Sequence, residues 1–203
     1  MRTTPVYLLS VDKFFAAIIG AGCSQVLLQV LRENGADDSV DIATHVLLPN
    51  GIAQATLPII IGVLRDWGVK PKYLVATSSA MIAIAPLTAS RIRGPAMAVV
   101  YGLNFGSVWG LKTTMSGFLY ADYYGRKHLG SIQAIDSMCG IAGTAVGPLF
   151  IQTLREMWGS YAPVLYLLTF MPGCCAVMNL LFLKKPPLPA EVLKEHESSI
   201  YGA

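Results

Sequence analysis

Six apolar stretches, each about as long as a bilayer-spanning helix, constrain what this chain can fold into. They cover residues 13–31, 41–64, 73–89, 95–121, 129–154 and 162–183. A transmembrane helix needs about 20 mostly apolar residues. Only 13% of the residues are charged, against roughly 25% in soluble domains. The pattern predicts an all-α integral membrane protein with six transmembrane helices.

The basic residues between these stretches predict the orientation of the chain. Lys and Arg concentrate on the cytoplasmic side of membrane proteins. One side of the predicted bundle holds four arginines, Arg32, Arg91, Arg93 and Arg155. The other side, which carries both termini, holds Arg2, Lys13, Arg65, Lys70, Lys72, Arg126, Lys127, Lys184, Lys185 and Lys194. We therefore expect the N-terminal segment 1–12 and the tail 184–203 to be cytoplasmic.

Two charged residues lie inside the predicted helices, Lys112 in the fourth and Asp136 in the fifth. Charge in the membrane interior is costly and usually marks a substrate or ion pathway. At 1.5 Å per residue, Lys112 lies roughly 13 Å and Asp136 roughly 10 Å from the turn that joins their helices. We predict a Lys112–Asp136 ion pair, in which a carboxylate substrate competes for Lys112 and Asp136 takes up a proton. The structural alternatives are a pair that only joins two helices, or a Lys112 that reaches lipid phosphate.

Polar residues are distributed unevenly among the six stretches. The third and sixth carry no charge and are expected to face lipid. Two polar-bearing helices followed by an apolar one thus occur twice, which is the weak internal symmetry of a transporter half built from two three-helix repeats. The residues that could hydrogen-bond a substrate, or a neighbouring helix instead, are Gln25, Gln29, Asn50, Gln54 and Asn104.

Glycines recur at helical spacing in the fourth and fifth stretches. Small residues on one helix face let two membrane helices approach closely. We therefore predict helix packing, rather than chemistry, for Gly102, Gly106, Gly110, Gly140, Gly143 and Gly147.

Two loops carry a resemblance to a known family. Residues 62–72 resemble the Gly-x-x-x-Asp-Arg-x-Gly-Arg-Lys loop that follows the second helix of each half in major facilitator superfamily transporters. Asp66 and Gly68 stand one residue closer than in that pattern, and the basic residue after the Asp is absent. Residues 121–132 are similar to the last cytoplasmic loop of monocarboxylate-type porters of the superfamily, and Gly147-Pro148 stands where those proteins often have Gly-Pro.

The resemblance covers residues 14–183 and implies the C-terminal half of a transporter. The family fold has twelve helices in two halves that hold the substrate between them, so the chain would be a fragment, a truncated paralogue or a half that dimerises. The implied partners are membrane lipid, a small-molecule substrate, and either the missing N-terminal half or a second copy of the chain. The implied cytoplasmic gating residues are Asp66, Gly68, Asp122, Gly125, Arg126 and Lys127.

These features predict a secondary active transporter, or its C-terminal half, that moves a small organic solute such as a monocarboxylate-like anion by alternating access, with proton symport left open. The alternative is a non-transporting interaction or scaffold half-bundle, or an inactive truncated paralogue.

An enzyme is not expected, because the histidines that follow Ser107 and Ser116, His128 and His196, lie in a loop and in the tail, away from any helix-borne dyad. No metal or cofactor is predicted, because the four cysteines fall in apolar segments. A net charge of +3 is too small to indicate nucleic acid.

Overall fold

The computed structural model describes residues 4–33, 35, 39–124 and 129–182, and over these ranges the chain is all-α, without any strand. The predicted all-α fold class is confirmed for this part of the chain. Its helices are α1 (Thr4–Glu33), α2 (Ser39–Asp66), α3 (Pro71–Ala89), α4 (Pro95–Tyr124), α5 (Leu129–Trp158) and α6 (Tyr161–Phe182).

Five of these helices, α1, α2, α3, α5 and α6, are long and apolar enough to cross a membrane by length and composition. The described part of the chain is therefore that of a multi-pass integral membrane protein. The sequence predicts six such helices, and α4 is the exception. Its glycines, together with Asn104, Lys112 and neighbouring hydroxyl residues, interrupt its apolar residues, although its side chains Ala98, Tyr101 and Val108 are fully buried in the core.

Helices α1 to α5 are longer than the apolar stretches that predict them, whereas α6 matches its stretch in length. The largest difference is at α1, which begins at Thr4 rather than Lys13, so residues 4–12 of the predicted N-terminal segment are helical. Pro5 lies in the first turn, where a missing backbone N–H does not break a helix. The extension places Asp12 and Lys13 well inside α1, and this position decides the polar contacts described below.

Two helix pairs, α2 with α4 and α1 with α5, form the most extensive contacts in the bundle. Their backbones meet at glycines: a Cβ added to Gly106 would lie 2.2 Å from the Asn50 carbonyl oxygen of α2, and one added to Gly147 would lie 2.4 Å from the Ile18 carbonyl oxygen of α1. The predicted packing role is confirmed for the glycines whose added Cβ would approach a partner helix within 3.0 Å, which are Gly102, Gly106, Gly110, Gly143 and Gly147.

Helices α3 and α6 pack against each other and against the centre of the bundle. Their outer faces expose large apolar side chains, such as Ile84 of α3 and Phe170 of α6. Their inner faces bury Ser79 of α3 and Asn179 of α6. The prediction that these helices face lipid thus applies to one face of each, because the other face contributes polar groups to the interior.

Candidate functional site

Four charged side chains from three helices converge around one small cavity, and we call them the charge cluster: Asp12, Lys13, Lys112 and Asp136. Asp12 and Lys13 are consecutive in α1, so their side chains leave the helix about 100° apart. Asp12 therefore points towards α4 and Lys13 towards α5.

The first ion pair of the cluster joins α1 to α4. Lys112 Nζ lies 2.5 Å from Asp12 Oδ2, and both side chains are only 6% exposed. The other carboxylate oxygen of Asp12 accepts a hydrogen bond of 2.7 Å from Ser79 Oγ in α3. Asn179 Nδ2 of α6 donates to the same Ser79 hydroxyl at 3.3 Å. One buried network thus connects α1, α3, α4 and α6.

The second ion pair joins α1 to α5. Lys13 Nζ lies 3.1 Å from Asp136 Oδ2, with the lysine side chain 22% exposed and the aspartate 5%. Asp136 Oδ1 accepts a hydrogen bond of 2.7 Å from the Tyr120 hydroxyl of α4. Asp136 is therefore held by groups from two neighbouring helices.

The predicted Lys112–Asp136 pair is wrong in its partners, although both residues line the same cavity. Each is instead neutralised by a residue of α1, Lys112 by Asp12 and Asp136 by Lys13. The sequence reasoning placed Asp12 and Lys13 at or before the start of the first helix, where charge is unremarkable. The signal that could have found them is the apolar run from Val6 to Leu31, which continues on both sides of the two charges.

The cavity between the two pairs has a volume of about 40 Å³. Holding a water molecule requires roughly 10–15 Å³ by this measure, so the space admits a few waters or one small polar group. Besides the charge cluster, the cavity has a polar lining from Ser78, Ser116 and Tyr120. Its apolar lining comes from four buried side chains that pack in one cluster of the core, Leu9, Val75, Met115 and Leu119.

The charges of the cluster sum to zero, since two lysines face two aspartates. Burying an unpaired charge is very unfavourable, and buried charges are accordingly paired and hydrogen-bonded. Such a cluster is stable only while its charges balance. An anion that enters the cavity adds one negative charge even when it displaces a carboxylate from a lysine, so it must be accompanied by a compensating proton.

The five predicted amide candidates lie away from the cavity. The side chains of Gln25 and Gln54 are exposed, and Gln29 accepts a hydrogen bond from the Tyr161 hydroxyl. Asn104 donates to the Met81 carbonyl oxygen at 3.4 Å, whereas the buried side-chain oxygen of Asn50 has no hydrogen-bond partner among the described residues. A substrate contact from any of them stays a prediction.

The predicted gating residues lie only partly in the described ranges. Asp66 ends α2 with an exposed side chain, and Gly68 turns the chain with φ +81°. Next to Asp66, the Arg65 guanidinium lies 4.0 Å from the centre of the Phe118 ring in α4. Asp122 lies in α4, but its side chain falls outside the described residues, as do Gly125, Arg126 and Lys127 entirely.

A second polar contact, at the opposite end of α1, was not predicted from the sequence. Glu33 accepts hydrogen bonds from the backbone N–H of Tyr161 at 2.9 Å and from Arg155 at 3.3 Å. A carboxylate at the first N–H groups of a helix is favourable because those groups carry partial positive charge. Glu33 thus fastens α1 to the end of α5 and the start of α6.

Among the described residues, no three His, Cys, Asp or Glu side chains group closely enough to hold a metal ion. In comparisons with known proteins, no family model matches the chain, and no curated protein has a matching sequence.

Proposed function

We propose that this chain is one half of a secondary active transporter of the major facilitator type, which moves a small organic anion by alternating access. The observation that carries the proposal is the charge cluster, in which two ion pairs lie buried among apolar helices around a shared cavity. Ionisable groups at such positions are expensive, and in membrane proteins they usually serve substrate or ion movement.

The cluster lies two to three turns inside the helices that carry it. Asp12 and Asp136 lie about 12 Å and 10 Å along their helices from Thr4 and Leu129, and Lys112 lies about 18 Å from Tyr124, at 1.5 Å per residue. The hydrocarbon core of a bilayer is about 30 Å thick. Helices α1, α4 and α5 have 30 residues each, or about 45 Å, and so exceed that core; the cluster lies inside the bundle but nearer the end that holds Thr4, Tyr124 and Leu129 than its middle.

The packing of the helices is compatible with two three-helix repeats. In two such repeats α1 corresponds to α4, α2 to α5 and α3 to α6, so the contact α2–α4 corresponds to the contact α5–α1. Both contacts are present, and each is made through glycines, of α4 in the first and of α5 in the second. The same correspondence relates α3–α4 to α6–α1 and leaves α3–α6 unchanged, and these helices are also in contact. Internal repeats of this kind are typical of secondary transporters.

The size of the cavity explains why we propose half of a transporter. Sites for small molecules generally enclose about 300–1,000 Å³, whereas the cavity at the charge cluster has about 40 Å³. A second half, either an N-terminal half or another copy of the chain, would have to supply the rest of the site. Among the five candidate spans, those of α2 and α5 have the smallest share of residues buried inside the bundle. Their exposed faces are available to such a partner.

The neutrality of the cluster also gives a reason for proton coupling. A carboxylate that displaces one of the aspartates adds one negative charge to a site with little water. Uptake of a proton by the displaced aspartate restores the balance. Anion and proton would then move together, as symport requires.

Transport by the purified chain in proteoliposomes tests the proposal. Vesicles preloaded with unlabelled pyruvate, lactate or acetoacetate should accumulate the same radiolabelled anion by counterflow, and an inward proton gradient should accelerate uptake. The matched control is the double variant Lys13→Gln with Asp136→Asn, which removes one pair without changing the net charge. Uptake equal to that of protein-free vesicles for every anion would contradict transport by copies of this chain alone. It would leave two alternatives, a half that works only with an N-terminal half and a non-transporting half-bundle.

A further inference from the structure

We propose that the two ion pairs of the charge cluster have different roles: Lys13–Asp136 opens to receive a carboxylate, whereas Asp12–Lys112 is a fixed brace. The inference rests on the proposed function, because it assigns the parts of the same cavity. It also moves the anion-binding role from Lys112, where the sequence placed it, to Lys13.

The contacts of Asp12–Lys112 are those of a brace. The two charged atoms lie 2.5 Å apart and both side chains are 6% exposed, so water has little access to either. Asp12 is also held by Ser79, which Asn179 holds in turn. Separating Lys112 from Asp12 would leave two buried charges without compensation, and a buried pair is strongly destabilised when one partner is lost.

The contacts of Lys13–Asp136 are those of a pair that can open. Its charged atoms are 3.1 Å apart, and the Lys13 side chain is 22% exposed. The stem of Lys13 passes Gly140 of α5, where an added Cβ would lie 3.5 Å from the lysine Cε. Because glycine leaves that side open, the stem has room to move along α5. Asp136 keeps its hydrogen bond from Tyr120 when the lysine departs.

The chemistry of the opened pair selects its ligand. A released Lys13 ammonium needs an anion to replace Asp136, and the adjoining cavity of about 40 Å³ admits a group of carboxylate size. The displaced Asp136 then takes a proton, so that the cluster stays neutral. The charged or titratable groups around Asp136 are Lys13 and Asp12 on α1 and Lys112 and Tyr120 on α4. From α6, the thiol of Cys175 interacts electrostatically with Asp12 and Lys112. The ligand class is a small carboxylate whose remaining atoms lie outside this half.

Reductive methylation of the native lysines tests the assignment without relying on transport. The folded chain in mild detergent is treated with formaldehyde and a borane reductant, and dimethylation of each lysine is followed by peptide mass spectrometry, with the exposed Lys70 as the internal reference. We expect Lys13 to react about tenfold faster than Lys112, because the rate follows the population in which each amine is released. Acetate should slow the labelling of Lys13 and leave Lys70 unchanged.

Two variants sharpen the test. Asp136→Asn should accelerate the labelling of Lys13. Lys112 should stay protected both in this variant and in Tyr120→Phe. Labelling of Lys112 as fast as Lys13, or an acetate effect on neither lysine, would overturn the assignment. Correct labelling in a chain that moves no anion would contradict only the proposed function, while transport by a chain that labels Lys112 first would contradict only this inference.

Discussion

Replacing Lys112 with methionine isolates the energetic contribution of the buried brace. The substitution keeps most of the apolar stem but removes the ammonium that lies 2.5 Å from Asp12. Asp12 would retain its hydrogen bond from Ser79, yet its charge would be uncompensated in a site where it is 6% exposed. Removing one partner of a buried pair costs about 3–5 kcal/mol. For a chain of this length, each kcal/mol lowers the melting temperature by about 2–4 °C, so we expect a fall of roughly 6–20 °C.

Tryptophan fluorescence during heating in mild detergent measures this fall, since the chain has three tryptophans. The decisive comparison is the double variant Asp12→Asn with Lys112→Met. It removes both charges, so its melting temperature should return to within about 5 °C of the original protein, as expected when a buried pair is replaced by uncharged groups. The exposed Lys70→Met is the matched control and should change stability by less than about 0.5 kcal/mol.

Two results would refute the reasoning. A Lys112→Met protein that melts within about 2 °C of the original would mean that Asp12 is not held as a buried, paired charge. A double variant that is less stable than both single variants would mean that the two residues contribute through other partners, because loss of a shared interaction cannot be counted twice in a double-mutant cycle.

Four further substitutions have expected outcomes in the same thermal assay. Gly106→Val should prevent folding or lower stability by more than about 3 kcal/mol, because its Cβ would lie 2.2 Å from a backbone oxygen of α2. Gly117→Ala, with no atom within 4 Å, should instead raise stability by about 0.5–1 kcal/mol, because alanine is the better helix former. Tyr120→Phe should cost about 1.5–3 kcal/mol, since it removes the hydroxyl that donates to Asp136; an unchanged melting temperature would contradict that contact. Glu33→Gln should cost less than about 1 kcal/mol, because its arginine partner is 44% exposed; a larger loss would mean that the capping of α6 dominates.

The glycine-mediated packing was predictable because it depends on local spacing. Gly102, Gly106 and Gly110 recur every four residues, so they share one face of a helix wherever that helix lies. Their contact with α2 follows from the need of two backbones to meet where side chains are absent. No knowledge of the three-dimensional arrangement was needed beyond the helix period.

The ion-pair partners were not predictable in the same way. The sequence singles out Lys112 and Asp136 as charges inside predicted membrane helices, but their partners lie 100 and 123 residues away in α1. Choosing the right aspartate or lysine at that separation requires knowing which helices are neighbours in the bundle. Hydropathy does not contain this information. The start of α1 added a second difficulty, because charged residues inside a helix resemble a helix end when their partners are unknown.

The two ends of α1 are joined to neighbouring helices by ion pairs that differ in solvent exposure, and this bears on how the bundle would move. Near the charge cluster, Lys13 holds α5 through a pair whose aspartate is 5% exposed. At the far end, Glu33 holds Arg155 of α5 and the first N–H of α6. Between them, Gly143 and Gly147 keep the backbones of α1 and α5 in contact. If Lys13 releases Asp136 while Glu33 keeps Arg155, α5 stays attached to α1 at one end and is freed at the other. The brace between Asp12 and Lys112 meanwhile keeps α1 fixed to α4, so opening the second pair changes the α1–α5 interface without dismantling the core.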